Sequence, residues 1–205
     1  MSFRLHTLRW MIVGAALVAC DGTRPPRPDE LRGTVMSPPI PKADFTLQTT
    51  AGEPFRFARN TEGSVTLLFF GYTYCPDICP VHMANIAAVL NKLPPQTANR
   101  VKVVMVSVDP DRDTPERLRA WLDNFNRSFI GLVGSTDEVN AVALQFSLPP
   151  AIKQGDGPDY LMGHAAYVLA FTTDNQAHVI YPSGTRQHDW AHDLPLLVEA
   201  DWSGP

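Results

Sequence analysis

Cysteine is scarce in this chain: three in 205 residues, Cys20, Cys75 and Cys79. That is too few for a disulfide-stapled miniprotein, and a chain of this length can bury one sizeable core without such staples. Charge is sparse as well. Lys and Arg number 17 against 21 Asp and Glu, a formal charge of −4, so no basic footprint exists for nucleic acid or an anionic membrane surface. Long apolar runs are also missing. The most extended, Trp10 to Ala19, has ten residues, well short of the ~20 that a membrane-spanning helix needs. No internal repeat and no low-complexity tract interrupts the region after residue 42. What remains is an ordinary globular composition, 44% hydrophobic, which rules out wholesale disorder.

The amino-terminal segment reads as an address. Arg4 and Arg9 precede the uncharged run WMIVGAALVA, which fits the apolar region of a secretory signal. The run closes on Leu17-Val18-Ala19-Cys20, which resembles a bacterial lipobox: small residues fit the peptidase, and the Cys20 thiol accepts the diacylglycerol. An ordinary signal peptide and an uncleaved anchor are the alternatives. Cleavage before Cys20 removes two arginines and takes the charge from −4 to −6. Residues 25–41 then hold six prolines. Such a stretch has few backbone donors and a stiff extended chain, so residues 20–42 are expected to form a tether. The expected organisation is a signal peptide over 1–19, the tether over 20–42 and one domain over 43–205. That places a lipid-anchored protein at a bacterial cell membrane, facing the periplasm.

Within the domain, VTLLFF (65–70) and VKVVMVSV (101–108) read as buried strands. Residues 81–92 show helical spacing between them. Thr114-Pro115-Glu116 and Ser135-Thr136-Asp137 are helix starts, with a capping hydroxyl and acid in the first turn. Residues 149–163 read as a surface loop. Residues 165–171 and 177–181 read as an antiparallel pair turned at Thr173-Asp174-Asn175, and a last helix is expected near 189–199. Strands alternating with helices, then a hairpin, predict an α/β fold with a central mixed sheet.

The chemistry concentrates in Cys75-Pro76-Asp77-Ile78-Cys79-Pro80, between a buried strand and a helix. A thiol at a helix amino terminus feels the positive end of the macrodipole and is more readily ionised. Two cysteines four apart share one helix face, so their sulfurs can close a disulfide or grip one soft metal ion. The spacing is not the C-x-x-C of a thioredoxin-type redox motif. Thiolates select copper over hard cations: two suit Cu(I), and a third ligand widens the choice to Cu(II). Among the histidines, His164 ends the long loop and opens the strand beginning at Ala165, where it can reach over the end of a neighbouring strand. His82 is close in sequence, but its ring is expected along the helix surface. His178 falls in a strand, and His188 and His192 are expected in solvent.

From about Asp44 to Glu199 the chain resembles the Sco/SenC family of copper-binding proteins of cytochrome c oxidase assembly. The resembling segments are LFFGYTYCPDICP (68–80), SVDPDRDTPE (107–116), GLVGS (131–135) and DYLMGH (159–164), in the family's order. The resemblance implies a thioredoxin-like fold with helices flanking the sheet and copper, as Cu(I) or Cu(II), held by Cys75, Cys79 and His164. It implies delivery to the dinuclear copper site of cytochrome c oxidase subunit II, with a further copper chaperone or a thioredoxin-like reductant as additional partner. The alternative is a thiol–disulfide oxidoreductase acting on the target's copper-ligand cysteines, with Cys75 attacking and Cys79 resolving. The family usually has an Asp immediately before the ligand His. Here Gly163 stands there, which removes a supporting carboxylate and predicts a more mobile loop. A thioredoxin would place a cis-proline before the strand facing its active site; His164-Ala165 stands there instead and favours a metal site.

Overall fold

The computed structural model describes residues 24–202, so the signal segment and Cys20 lie outside the described residues. After a 3-10 turn at Pro28–Glu30, the elements in chain order begin with β1 (Thr34–Pro41), β2 (Thr46–Thr49), β3 (Pro54–Arg56) and the short α1 (Phe57–Asn60). Next come β4 (Val65–Gly71), α2 (Ile78–Leu90), α3 (Pro95–Ala98), β5 (Val101–Ser107), α4 (Pro115–Asp123), β6 (Ile130–Val133) and α5 (Thr136–Gln145). The last are β7 (Ile152–Gln154), β8 (Leu161–Gly163), β9 (Val168–Phe171), β10 (Gln176–Tyr181) and α6 (Gln187–Glu199).

Eight strands form one mixed sheet in the order β1-β10-β9-β4-β5-β6-β2-β3. β4 is buried at every position, as a strand covered on both faces must be, and this is why its sequence is apolar without alternation. β4, β5 and β6 run parallel, and α2 crosses between the first two. On the other side of β4, β9 and β10 follow antiparallel, turned at residues 172–175. Both predicted helix starts are realised. Thr114 Oγ1 accepts the Arg117 N–H ahead of α4, and Ser135 with Glu138 forms a capping box on α5. Phe45, Phe57, Phe146 and Phe171 lock the core by stacked and edge-on ring contacts.

Two segments differ from the expectation. The Pro-rich region is not a tether over its whole length, because residues 34–41 form β1, paired with β10. Proline removes a ladder donor and is tolerated where one strand face has no neighbour. β1 is such an edge, and its register shifts between Val35 and Ile40, around Pro38-Pro39. The 149–163 loop likewise contains a hairpin: Ile152 pairs with Gly163, Lys153 with Met162 and Gln154 with Leu161. Gly163 is therefore a paired strand residue and not a loop residue.

One rung crosses four strands: Thr34 pairs with Ile180, Ile180 with Leu169 and Leu169 with Leu68. At that entry the fully buried Asp193 of α6 accepts hydrogen bonds from the backbone N–H of Arg32 and Gly33 and from the Tyr181 hydroxyl, at 2.9–3.0 Å. This carboxylate fastens the incoming chain to the domain.

Candidate metal centre

β4 ends at Gly71, and the chain turns through Tyr72-Thr73-Tyr74 to Cys75 before α2 begins. Asp113 shapes that turn. Its buried carboxylate accepts the Thr73 N–H at 3.0 Å, the Thr73 hydroxyl at 2.5 Å and the Ser107 hydroxyl at 2.7 Å. Burial pushes the Asp113 carboxyl up, against the downward pull of these donors. Arg117 Nε donates to the same Thr73 hydroxyl at 3.0 Å. The turn is thus tied to both β5 and α4.

Cys79 lies in the first turn of α2 and is fully buried; Cys75 is half-buried just outside it. Both are free thiols. The backbone N–H of Cys79 points at Cys75 Sγ at 3.4 Å, placing that sulfur at the positive end of the helix. Hydrogen bonding from Cys79, supported by backbone N–H groups, holds the Cys75 thiol down at about 3. Burial, then the neighbouring Cys75 sulfur, pushes the Cys79 thiol far up. The pair therefore keeps one proton on the inner sulfur and the negative charge on the outer one.

His164 joins β8 to β9. Its Nδ1 lies 3.0 Å from the Ala165 carbonyl oxygen and its Nε2 3.8 Å from Cys79 Sγ. Donation from Nδ1–H to the carbonyl leaves the Nε2 lone pair facing the sulfurs, the tautomer a metal ligand needs. Phe69 and Tyr72 wall the imidazole edge-on, with ring centroids 6.0 and 5.6 Å away. Close approach is secured by Gly71, since a Cβ there would stand 3.1 Å from Cys79 Sγ and 2.5 Å from the Phe69 ring. The donor atoms of Cys75, Cys79 and His164 all lie within 4.8 Å of one another. Two thiols and one imidazole, half screened from water, form a soft three-coordinate cradle matched to Cu(I), with the imidazole admitting Cu(II).

His82 departs from the expectation. Its ring is buried against Phe69 and Trp190, not laid along the helix surface, and burial lowers its basicity. Its ring is not among the converging donors. His178 lies in β10 and pairs with Asp174, and His188 and His192 are exposed, the latter beside Asp193. Asp109, within the SVDPDRDTPE segment, accepts the Tyr160 hydroxyl on the segment leading to His164, a contact that no local pattern in the sequence announces.

A strand-to-helix turn carrying two thiols on a mixed sheet, with an imidazole brought over it, defines a thioredoxin-like protein with a thiol–imidazole centre. The SCO1/SenC family model matches residues 36–199, and the chain belongs to that family. The Arabidopsis thaliana protein SCO1 homolog 1, mitochondrial, is 36% identical over 107 residues. That alignment covers 52% of this chain and 32% of the plant protein, so the chain spans about a third of that relative's length. The structure of Bradyrhizobium japonicum ScoI with copper bound superposes with a TM-score of 0.68 at 30% identity, covering 77% of this chain and 99% of that one. Apo Sco1 from Thermus thermophilus matches with a TM-score of 0.68 at 35% identity, over 82% and 94% of the two chains.

Proposed function

We propose that this chain carries one copper ion on Cys75, Cys79 and His164 and delivers it to the dinuclear copper site of cytochrome c oxidase subunit II, from a lipid anchor at Cys20 on the periplasmic side of the membrane. The observation that carries this reading is the convergence of two sulfurs and a free imidazole nitrogen within 4.8 Å. The copper-bound state of a 30% identical relative supports it. The outer thiolate is the entry point for cargo, because it is ionised and half-exposed. Capture then displaces the proton of Cys79, and His164 completes the set from the other side. Cys75 and Cys79 share one turn at the start of α2 while His164 comes from a separate segment, so an acceptor can take the exposed donor first and the others in sequence.

Anaerobic reconstitution with Cu(I) and with Cu(II), followed by metal counting and absorption spectroscopy, tests the reading. One ion per chain is expected, lost in Cys75→Ser and Cys79→Ser. Undiminished copper in the double serine variant would refute it.

The unequal thiols also favour a second reading, thiol–disulfide exchange. The Cys75 thiolate would attack a target disulfide, breaking its S–S bond and forming a mixed disulfide. Cys79 would then lose its proton and attack Cys75 Sγ. The target leaves as a dithiol, reduced by two electrons, and the Cys75–Cys79 disulfide carries the oxidation. His164→Ala separates the two activities: it should weaken Cu(II) binding strongly and move the disulfide potential little.

A further inference from the structure

The hairpin that carries His164 has little to hold it. β7 and β8 have three residues each, and an isolated two-stranded hairpin is marginal in water. Residues 152–159 are all exposed, and the one buried side chain between 152 and 163 is Tyr160.

Tyr160 enters a ladder of alternating cations and aromatic rings. The Arg117 guanidinium lies 4.0 Å from the Tyr74 ring centre, and Arg112 lies 4.4 Å from it on its way to Tyr160. Arg112 stands 3.5 Å from the Tyr160 ring, which Lys153 of β7 approaches at 3.9 Å. Asp109, 1% exposed, pins the middle of the ladder. It accepts Arg112 Nε at 2.6 Å and the Tyr160 hydroxyl at 2.6 Å. Arg112 also donates to the Pro158 carbonyl at 3.0 Å. Through Arg112 the ladder therefore joins Tyr74, the neighbour of Cys75, to Tyr160, which stands just before β8 and so before His164. Partly desolvated cation–π contacts and a charge-assisted hydrogen bond are strong enough to fasten a hairpin that cannot fasten itself.

We propose that Tyr160 is a positioning residue: through Asp109 and Arg112 it latches the hairpin to the cysteine turn and so fixes how long the His164 imidazole stays on bound copper. The inference rests on the copper centre proposed above. It predicts that copper retention depends on a side chain that donates nothing to the metal.

The test uses the full chain as wild type, Tyr160→Phe, Tyr160→Leu and His164→Ala, each loaded with Cu(I) or Cu(II). Copper loss to a chelator, the thiolate-to-Cu(II) absorption, amide hydrogen exchange over 161–163 and the Cys75–Cys79 disulfide potential are measured. Tyr160→Phe keeps the ring and loses the hydroxyl, so copper should leave about tenfold faster, the scale of one hydrogen bond to a charged group. Tyr160→Leu should be faster still and should speed exchange over 161–163. In both, the Cu(II) absorption should shift toward that of His164→Ala while the disulfide potential stays near wild type. Wild-type retention in Tyr160→Leu overturns the latch. So does a disulfide potential displaced as far as copper retention, since that marks general damage to the fold. If His164→Ala retains Cu(II) like the wild type, the centre itself is wrong and the latch falls with it, an outcome distinct from the other two.

Discussion

Replacing Gly71 by alanine probes the cradle at its tightest point. The added Cβ would lie 2.5 Å from a Phe69 ring carbon and 3.1 Å from Cys79 Sγ, where unstrained carbon contacts need about 3.5–4.0 Å. Neither neighbour has room to retreat. Phe69 is fully buried between His82 and His164, and Cys79 sits in the first turn of α2. Something must move by about 1 Å, and overpacking on that scale costs about 2 kcal/mol. For a domain of this size that is a fall in Tm of about 4–8 °C. The displaced Phe69 ring also pushes on the imidazole it faces, so copper affinity should fall together with stability. Gly163→Ala supplies the contrast. Its Cβ would come 2.4 Å from Gln154 Nε2, the far end of an exposed, flexible side chain. Gln154 can swing away, and the cost should stay within about 0.5 kcal/mol. Thermal unfolding of the reduced apoprotein and copper titration of both variants decide the matter. Equal Tm values for Gly71→Ala and wild type, with unchanged copper affinity, would refute the account of how the cradle is built.

Copper affinity should depend on pH with a defined sign. Cys75 is already a thiolate above about 3, whereas burial keeps the proton on Cys79. Binding therefore expels that proton, so affinity should rise about tenfold per pH unit across the neutral range; a flat profile in a competition titration would contradict this assignment of the proton. A Cys75–Cys79 disulfide and bound copper claim the same sulfurs, so the oxidised protein should take up essentially no copper and reduction should restore one site. Mass spectrometry after alkylation, with and without copper, reads both states. At the other end of the chain, Cys20→Ser should abolish lipid labelling and membrane fractionation while leaving copper binding intact.

The residues that make the centre are local in sequence in two of three cases, and this decides what could be read in advance. The run 65–70, the C-x-x-x-C turn and the caps at Thr114 and Ser135 report on their own neighbourhoods through period, punctuation and capping chemistry. Those elements stand where the pattern puts them. His164 lies 85 positions from Cys79 and entered through its place before a strand and through family resemblance. β1 was hidden because prolines normally deny a strand, and only pairing with β10, near the far end of the chain, makes room for them. His82 misled because burial of a histidine is decided by the rings that arrive from β4 and α6. The Tyr160 ladder left no local signature: its members are spread from Tyr74 to Tyr160, and no single spacing joins them.

The direction of β1 carries a consequence for the whole molecule. β1 runs against β4, and Thr34 stands on the rung that includes Leu68. The backbone upstream of Thr34 therefore departs from the end of the sheet where β4 hands over to Cys75 and Cys79, and Asp193 clamps Arg32 and Gly33 there. From Cys20 to Arg32, where that clamp begins, is a leash of twelve residues, at most about 40 Å when pulled straight. Were Cys20 lipidated as proposed above, the domain would hang by its metal-bearing end, with the cradle turned toward the bilayer. An acceptor whose copper site sits just above the membrane would lie inside the short volume the leash sweeps out. Encounter would then be a search over a small patch of surface, at high effective concentration, instead of through bulk solvent.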